Sequence, residues 1–130
     1  MAIVRQISVF LENQPGRLGA LCDVLADEGV NIEAIMVPSG TDYGIVHMVV
    51  DRPDVALGAL QARAYRSYTS QVLDVQLEDR PGALAGLARR LAEPGLDITY
   101  AYTAHAAQGA RLILSVSDAE RAHSLLEPAG

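Results

Sequence analysis

One stretch of this chain is written twice, and that repeat limits what the chain can fold into more than any other feature. "LENQPGRLGALCDVL", from Leu11 to Leu25, returns as "LEDRPGALAGLARRL" from Leu77 to Leu91. Pro15 and Pro81 stand 66 residues apart, and the same offset, without a gap, aligns Glu12 with Glu78, Gly16 with Gly82, Leu18 with Leu84, Gly29 with Gly95, Ile32 with Ile98 and Val50 with Val116. Two unrelated amphipathic segments would not hold both glycines, both prolines and the helical leucines in phase over such a length, so the chain reads as a duplication. The halves are 1–70 and 71–130. Domains near ~60 residues bury little of their surface, so two such units would have to support each other.

Each copy carries the same series of elements. Ile7, Val9 and Leu11 alternate with Ser8 and Phe10, and Leu73, Val75 and Leu77 alternate with Asp74 and Gln76, the period of a half-buried strand. Leu18, Leu21, Cys22 and Leu25, repeated as Leu84, Leu87, Ala88 and Leu91, follow the spacing of one helical face. Gly29 and Gly95 are placed to stop those helices. "NIEAIMVPSG" and "DITYAYTAHA" read as second strands, and "GIVHMVVD" and "ARLILSVS" as third strands. A second helix follows Asp51 and Ser117, with capping-box spacing in "SDAE" and an Asp cap before Pro53 in "DRPD".

This order predicts an α+β fold: two tandem ferredoxin-like βαββαβ modules with antiparallel sheets and helices on one face. In the first copy "YRSYTS" supplies a short fourth strand, but the second module lacks its final strand, because the counterpart of Ala64 is Gly130. The strand at 72–78 would then be a raw edge, and another segment or another protomer is expected to pair there. In the third strands Val46, Met48 and Val50 align with Leu112, Leu114 and Val116, which places this set under the helices. Phe10, Ile35, Val37, Ile45 and Val49 fall on the helix-free face, apolar enough to call for a cover.

Composition narrows the function. A net charge of −6 without Lys/Arg clusters argues against nucleic acid. A single cysteine, Cys22, excludes an intrachain disulfide and a thiolate zinc site and fits a reducing, cytoplasmic location. No run approaches the ~20 apolar residues of a membrane span, so no membrane partner is expected. His47, His105 and His123 lie far apart in sequence and none has a second His or a Cys at ligand spacing, so they read as solvent-exposed or interface residues, and no GxSxG, HExxH or phosphate-loop pattern is present. Neither catalytic residues nor a cofactor are therefore expected.

The turns "NQPG" and "DRPG" remain. Asn13 or Asp79 could cap the helix, proline could fix its first turn, and glycine could permit the tight turn; the same features would also let a ligand carboxylate approach backbone amides. Strand, "E-N/D-x-P-G-x-L", helix, "G-V/L-N/D-I" and two further strands resemble the ACT domain, a regulatory module, over nearly the whole chain as a tandem pair. The resemblance implies modules that associate through their sheets and bind amino acids at the interface between two modules. It implies a site at Asn13, Gln14, Gly16, Arg17 and Leu18 with Asn31 and Ile32, and a second at Asp79, Arg80, Gly82, Ala83 and Leu84 with Asp97 and Ile98. Asn13 can both donate to a carboxylate and accept from an ammonium, whereas ionised Asp79 only accepts, so the first half is expected to be the better site.

The expected protein is thus a non-catalytic regulatory module that forms a homodimer, binds a small amino acid or related metabolite at an inter-module or dimer interface, and acts on a client enzyme. Two other classes stay open. One is a structural interaction module without its own ligand, and the other is a small enzyme using a ferredoxin-like dimer cleft.

Overall fold

A computed structural model describes residues 2–38 and 43–126. The end of the expected second strand, Ser39 and Gly40, and the last residues of the second half, 127–130, lie outside the described residues. The elements run β1 (Ala2–Glu12), α1 (Arg17–Asp27), β2 (Ile32–Met36), β3 (Tyr43–Val50), α2 (Pro53–Ala62), β4 (Ser67–Leu77), α3 (Ala83–Ala92), β5 (Ile98–Ala104), β6 (Ala110–Val116) and α4 (Ala119–Leu126). The fold is α+β with antiparallel strand pairing. No helix among the described residues is long and apolar enough to cross a membrane.

The chain divides into two compact units: Arg5–Ser70, called here the first unit, and Gln71–Gly130 together with Met1–Val4, the second. In the first unit β3 is central. It pairs with β1 through Ile7↔Met48 and Val9↔Val46, and with β2 through Ile35↔Met48. Ile7, Val9, Val46, Met48 and Val50 form the sheet side of the core, and Leu21, Val24 and Leu25 of α1 with Ala56 and Leu60 of α2 cover them. The apolar set expected under the helices is therefore there. Burying one such leucine removes enough apolar surface to contribute about 1.5–3 kcal/mol.

In the second unit β6 is central, paired with β4 through Leu73↔Leu114 and with β5 through Ala101↔Leu114. Leu73, Val75, Leu112 and Leu114 pack under Leu87, Leu91, Ala122 and Leu126. "YRSYTS" and the strand expected at 72–78 are not separate, because β4 runs unbroken from Ser67 to Leu77. Beside β4 in the strand order stands β1, whose residues before Arg5 belong to this unit, and Ile3 packs against its core.

The expected caps need correction. Gly16 and Gly82 are the N-cap residues of α1 and α3, with φ of 85° and 88°, and neither helix has a side-chain cap bond. The prolines precede these glycines and lie outside the helices. An L-residue in that left-handed conformation is strained, which is why glycine stands there; a Cβ at either position would meet nothing within 4 Å, so the demand comes from the backbone and not from space. At α4 it is Asp118, not Ser117, whose carboxylate accepts from the Arg121 amide, at 3.0 Å. Asp51 and Ser117 instead accept from the amides of Asn31 and Asp97, at 2.9 and 3.1 Å, and so fix the starts of β2 and β5. Short polar side chains bond whichever nearby amide the chain presents, and here the approaching strand supplies it.

Glycine closes α1 and α3, with Val30 and Leu96 amides bonded back to Leu25 and Leu91 carbonyls. The α2 end has the same closure, Tyr65 N to Leu60 O at 3.0 Å, but its left-handed residue is Ala64, with φ of 62°. Ala64→Gly relieves that strain and is expected to raise stability by about 0.5–1 kcal/mol, read by urea unfolding. Ile3→Ala removes contacts from the core of the second unit, and because Ile3 is half-buried the expected loss is about 1–2 kcal/mol, below the range for a full core truncation. An unchanged urea midpoint in the latter variant would show that residues before Arg5 add nothing to that core.

Candidate functional site

Strand, left-handed glycine and helix together build one wall in each unit. β1 ends at Glu12, the chain turns with Gln14 N bonded to Glu12 O and Arg17 N bonded to Gln14 O, and α1 begins at Arg17. Arg80 N to Glu78 O and Ala83 N to Arg80 O repeat the turn before α3. Asn13, Gln14, Gly16, Arg17 and Leu18 are all exposed on the first turn, and Asp79, Arg80, Gly82 and Leu84 on the second, with Ala83 half-buried. Leu84 is 51% exposed, an uncommon position for a leucine in the first turn of a helix.

The other expected site residues lie elsewhere. Glu12 stands opposite Tyr43 at the start of β3, while Ile32 stands opposite Val50 at its end, so the turn and the start of β2 are roughly 23 Å apart along the strand. The second unit repeats this, with Leu77 opposite Ala110 and Ile98 opposite Val116. Asn31 and Asp97 are exposed, Ile32 and Ile98 half-buried. Within one unit, then, Asn13, Gln14, Gly16, Arg17 and Leu18 form one group and Asn31 and Ile32 another, at opposite ends of the sheet.

Beside each turn the structure has a cleft. In the first unit it is about 720 Å³, lined by the end of β1 (Phe10, Glu12), by Arg17 of α1, and by Arg63, Tyr65 and Arg66 after α2. In the second it is about 560 Å³ and takes in Gln76, Arg80, Gly82, Ala83 and Arg90. Of the residues expected from the sequence, Arg17 lines the first cleft and Arg80, Gly82 and Ala83 the second. Arg63, Tyr65 and Arg66 were not anticipated; the signal available was "RAYR" directly after a helix, two cations and an aromatic ring in four residues.

Glu12 and Glu78, which had no partner assigned from the sequence, each find one nearby. Arg17 Nη2 is 3.5 Å from Glu12 Oε2, and Arg80 Nε donates to Glu78 Oε2 at 2.5 Å. Both pairs are exposed and contribute little to stability.

On the helix-free face of β1 and β3 the structure places a polar cluster that alternation alone assigns to a surface. Gln6 and Ser8 are fully buried. His47 Nδ1 lies 2.8 Å from Ser8 Oγ and 3.2 Å from Gln6 Nε2. The position aligned with Ser8 in the second unit is Asp74, whose carboxylate accepts two bonds from Arg111, at 2.5 and 3.0 Å, a charge-assisted pair on the equivalent strand couple. Burial of His47 lowers its pKa below the ordinary imidazole value, since the charged ring would lose hydration.

That burial makes stability depend on pH with a definite sign. The unfolded chain takes up the His47 proton near pH 6.5 and the folded chain only at lower pH, so between those values the unfolded state binds more protons. The stabilisation is fully present above pH 6.5 and is lost as pH falls from there through the folded value. His47→Gln is expected to flatten the dependence of the urea midpoint over pH 5–7, and an equally steep dependence in the variant would exclude His47 as its source.

The comparisons with known proteins fall in with this architecture. The model of the ACT domain pair matches residues 1–127, and the chain belongs to that family. A protein of Bacteroides thetaiotaomicron known from its crystal structure is 31% identical and superposes with a TM-score of 0.90, over 95% of this chain and 86% of that one. The regulatory subunits of aspartate kinase from Thermus thermophilus, in a ligand-free form, and from Thermus flavus share the fold at 18% identity. Their TM-scores are 0.70 and 0.66, over 97% of this chain and 93% and 96% of theirs. No curated protein matches the sequence.

Proposed function

We propose that this chain is a non-catalytic regulatory module that binds a small amino acid or related metabolite where two ACT modules meet. The observation that carries the reading is the match to the ACT domain pair over residues 1–127. Solved relatives of the same fold that are regulatory subunits of aspartate kinase support it. On this reading each unit is a ferredoxin-like βαββαβ module, with residues before Arg5 standing in for the final strand of the second.

The separation of the turn from the start of β2 explains why the site would need two modules. One supplies Asn13, Gln14, Gly16, Arg17 and Leu18, and another, for instance from a second copy of the chain in a homodimer, supplies the strand start at Asn31 and Ile32. Asp79, Arg80, Gly82, Ala83 and Leu84 with Asp97 and Ile98 form the related set. A ligand touching both walls stabilises the assembled arrangement, and a client enzyme that prefers that arrangement is then controlled by population shift.

A thermal-shift screen of the twenty amino acids at millimolar concentration tests the reading, since a ligand selective for the folded state raises the melting temperature by mass action. At least one is expected to do so. Asn13 can pair with both charged ends of an amino acid and Asp79 with only one, so titration calorimetry should show Asn13→Ala losing about tenfold in affinity and Asp79→Ala less. Twenty flat melting curves would instead favour a module that works through protein contacts alone.

A further inference from the structure

The first unit's cleft gathers positive charge within an acidic chain. Three guanidinium groups, Arg17, Arg63 and Arg66, line it against one carboxylate, Glu12, in a protein of net charge −6. Glu12 engages Arg17 only at 3.5 Å, and Arg17 donates to Gln14 Oε1 at 3.4 Å. Arg66 holds its guanidinium carbon 5.3 Å from the centre of the Phe10 ring, a cation–π contact that consumes none of its N–H donors. Arg63 makes no ion pair among the described residues. The floor beneath these cations is apolar, with Phe10, Leu11 and Val24, and the cleft's volume of about 720 Å³ is in the range of small-molecule sites.

The duplication supplies an internal control. The second unit forms the same turn, the same helix and a cleft at the same place with Ala83 where Arg17 stands, so the fold does not require an arginine at that position. In the second cleft Arg80 is held closely by Glu78, and Arg90 donates to the Leu125 carbonyl at 3.4 Å, the distance at which Arg17 donates to Gln14 Oε1 in the first; among the described residues neither Arg63 nor Arg66 has a carboxylate so near. Ala64 adds an independent sign. It sits between Arg63 and Tyr65 in a left-handed conformation, φ 62°, where the ends of α1 and α3 have unstrained glycine. Strain retained at the residue that sets the directions of the chain on either side is typical of a binding position.

We infer from this arrangement that the cleft beside α1 is a second ligand site, for a small organic dianion whose two negative groups, carboxylate or phosphate, are held by Arg63, Arg66 and Arg17. Planar guanidinium forks match either group in bidentate geometry, and the apolar floor receives the carbon skeleton between them. This site lies within one module, shares only Arg17 with the amino-acid reading above and goes beyond it.

Titration calorimetry of the full chain at low ionic strength tests it with succinate, phosphoglycolate, which joins a carboxylate to a phosphate, and inorganic phosphate. Neither organic probe carries an amino group, so an amino-acid screen that fails leaves this result standing, and the reverse also holds. One equivalent of at least one organic probe is expected to bind per chain, more tightly than inorganic phosphate and more weakly as salt is added. Arg63→Ala and Arg66→Ala should each weaken binding tenfold or more while Arg121→Ala, an exposed arginine on α4, leaves it unchanged. Should either alanine variant fold poorly, Arg66→Lys keeps the charge without the fork and is expected to lose at least threefold. No binding at millimolar probe, inorganic phosphate binding as tightly as the organic probes, or an equal loss in Arg121→Ala would overturn the assignment.

Discussion

Everything in each unit depends on a strand being able to turn directly into a helix that lies back over it. Gly16 and Gly82 make this possible by adopting a left-handed backbone conformation that a side chain would resist. Once the turn is made, the apolar stripe of α1 or α3 meets the apolar face of the sheet, and the second helix of each unit completes the cover. The turn also leaves the first helical residues exposed beside a cleft. Fold and candidate site thus share one origin, a conformational requirement at a single residue.

The duplication preserved that requirement and relaxed the chemistry around it. Arg17 became Ala83 or the reverse, Asn13 pairs with Asp79, and Ser8 with its neighbour His47 stands where the other unit has Asp74, bonded there to Arg111. Each of these positions is on the surface or on the helix-free face, where packing against the unit's own helices does not limit the choice. The buried leucines stayed, because losing one costs about 2–5 kcal/mol and two modules of this size have little stability to spare.

Most of the architecture was legible in the sequence for the same reason. Alternation and helical spacing are read directly from apolar burial, and two aligned copies separate core from surface: Val46, Met48 and Val50 fell where their partners in the repeat placed them. The helix caps were misread, since Asp51 and Ser117 could reach either a helix start or a strand start and only the three-dimensional path decides between them. Alternation placed Ser8 on the helix-free face, which was expected to be covered, but it could not show that Ser8 and Gln6 would be fully buried there, because alternation reports only which face a side chain takes. The turn residues of the candidate site were visible as a motif. Arg63 and Arg66 were not, because Arg63 aligns with Ala129, outside the repeated motif, and Arg66 has no aligned residue to compare.

The two units also fasten their helix pairs at opposite ends. Arg52 donates to the carbonyls of Glu28 and Gly29, at 2.8 and 2.5 Å, and so ties the end of α1 to the start of α2, far from the first cleft. In the second unit the side-chain clasp is Arg90 on the Leu125 carbonyl, alongside the cleft itself. The first pair of helices is therefore tied at the end away from its cleft and the second beside its cleft, so the two copies of one ancestral unit anchor the same helix packing from opposite sides.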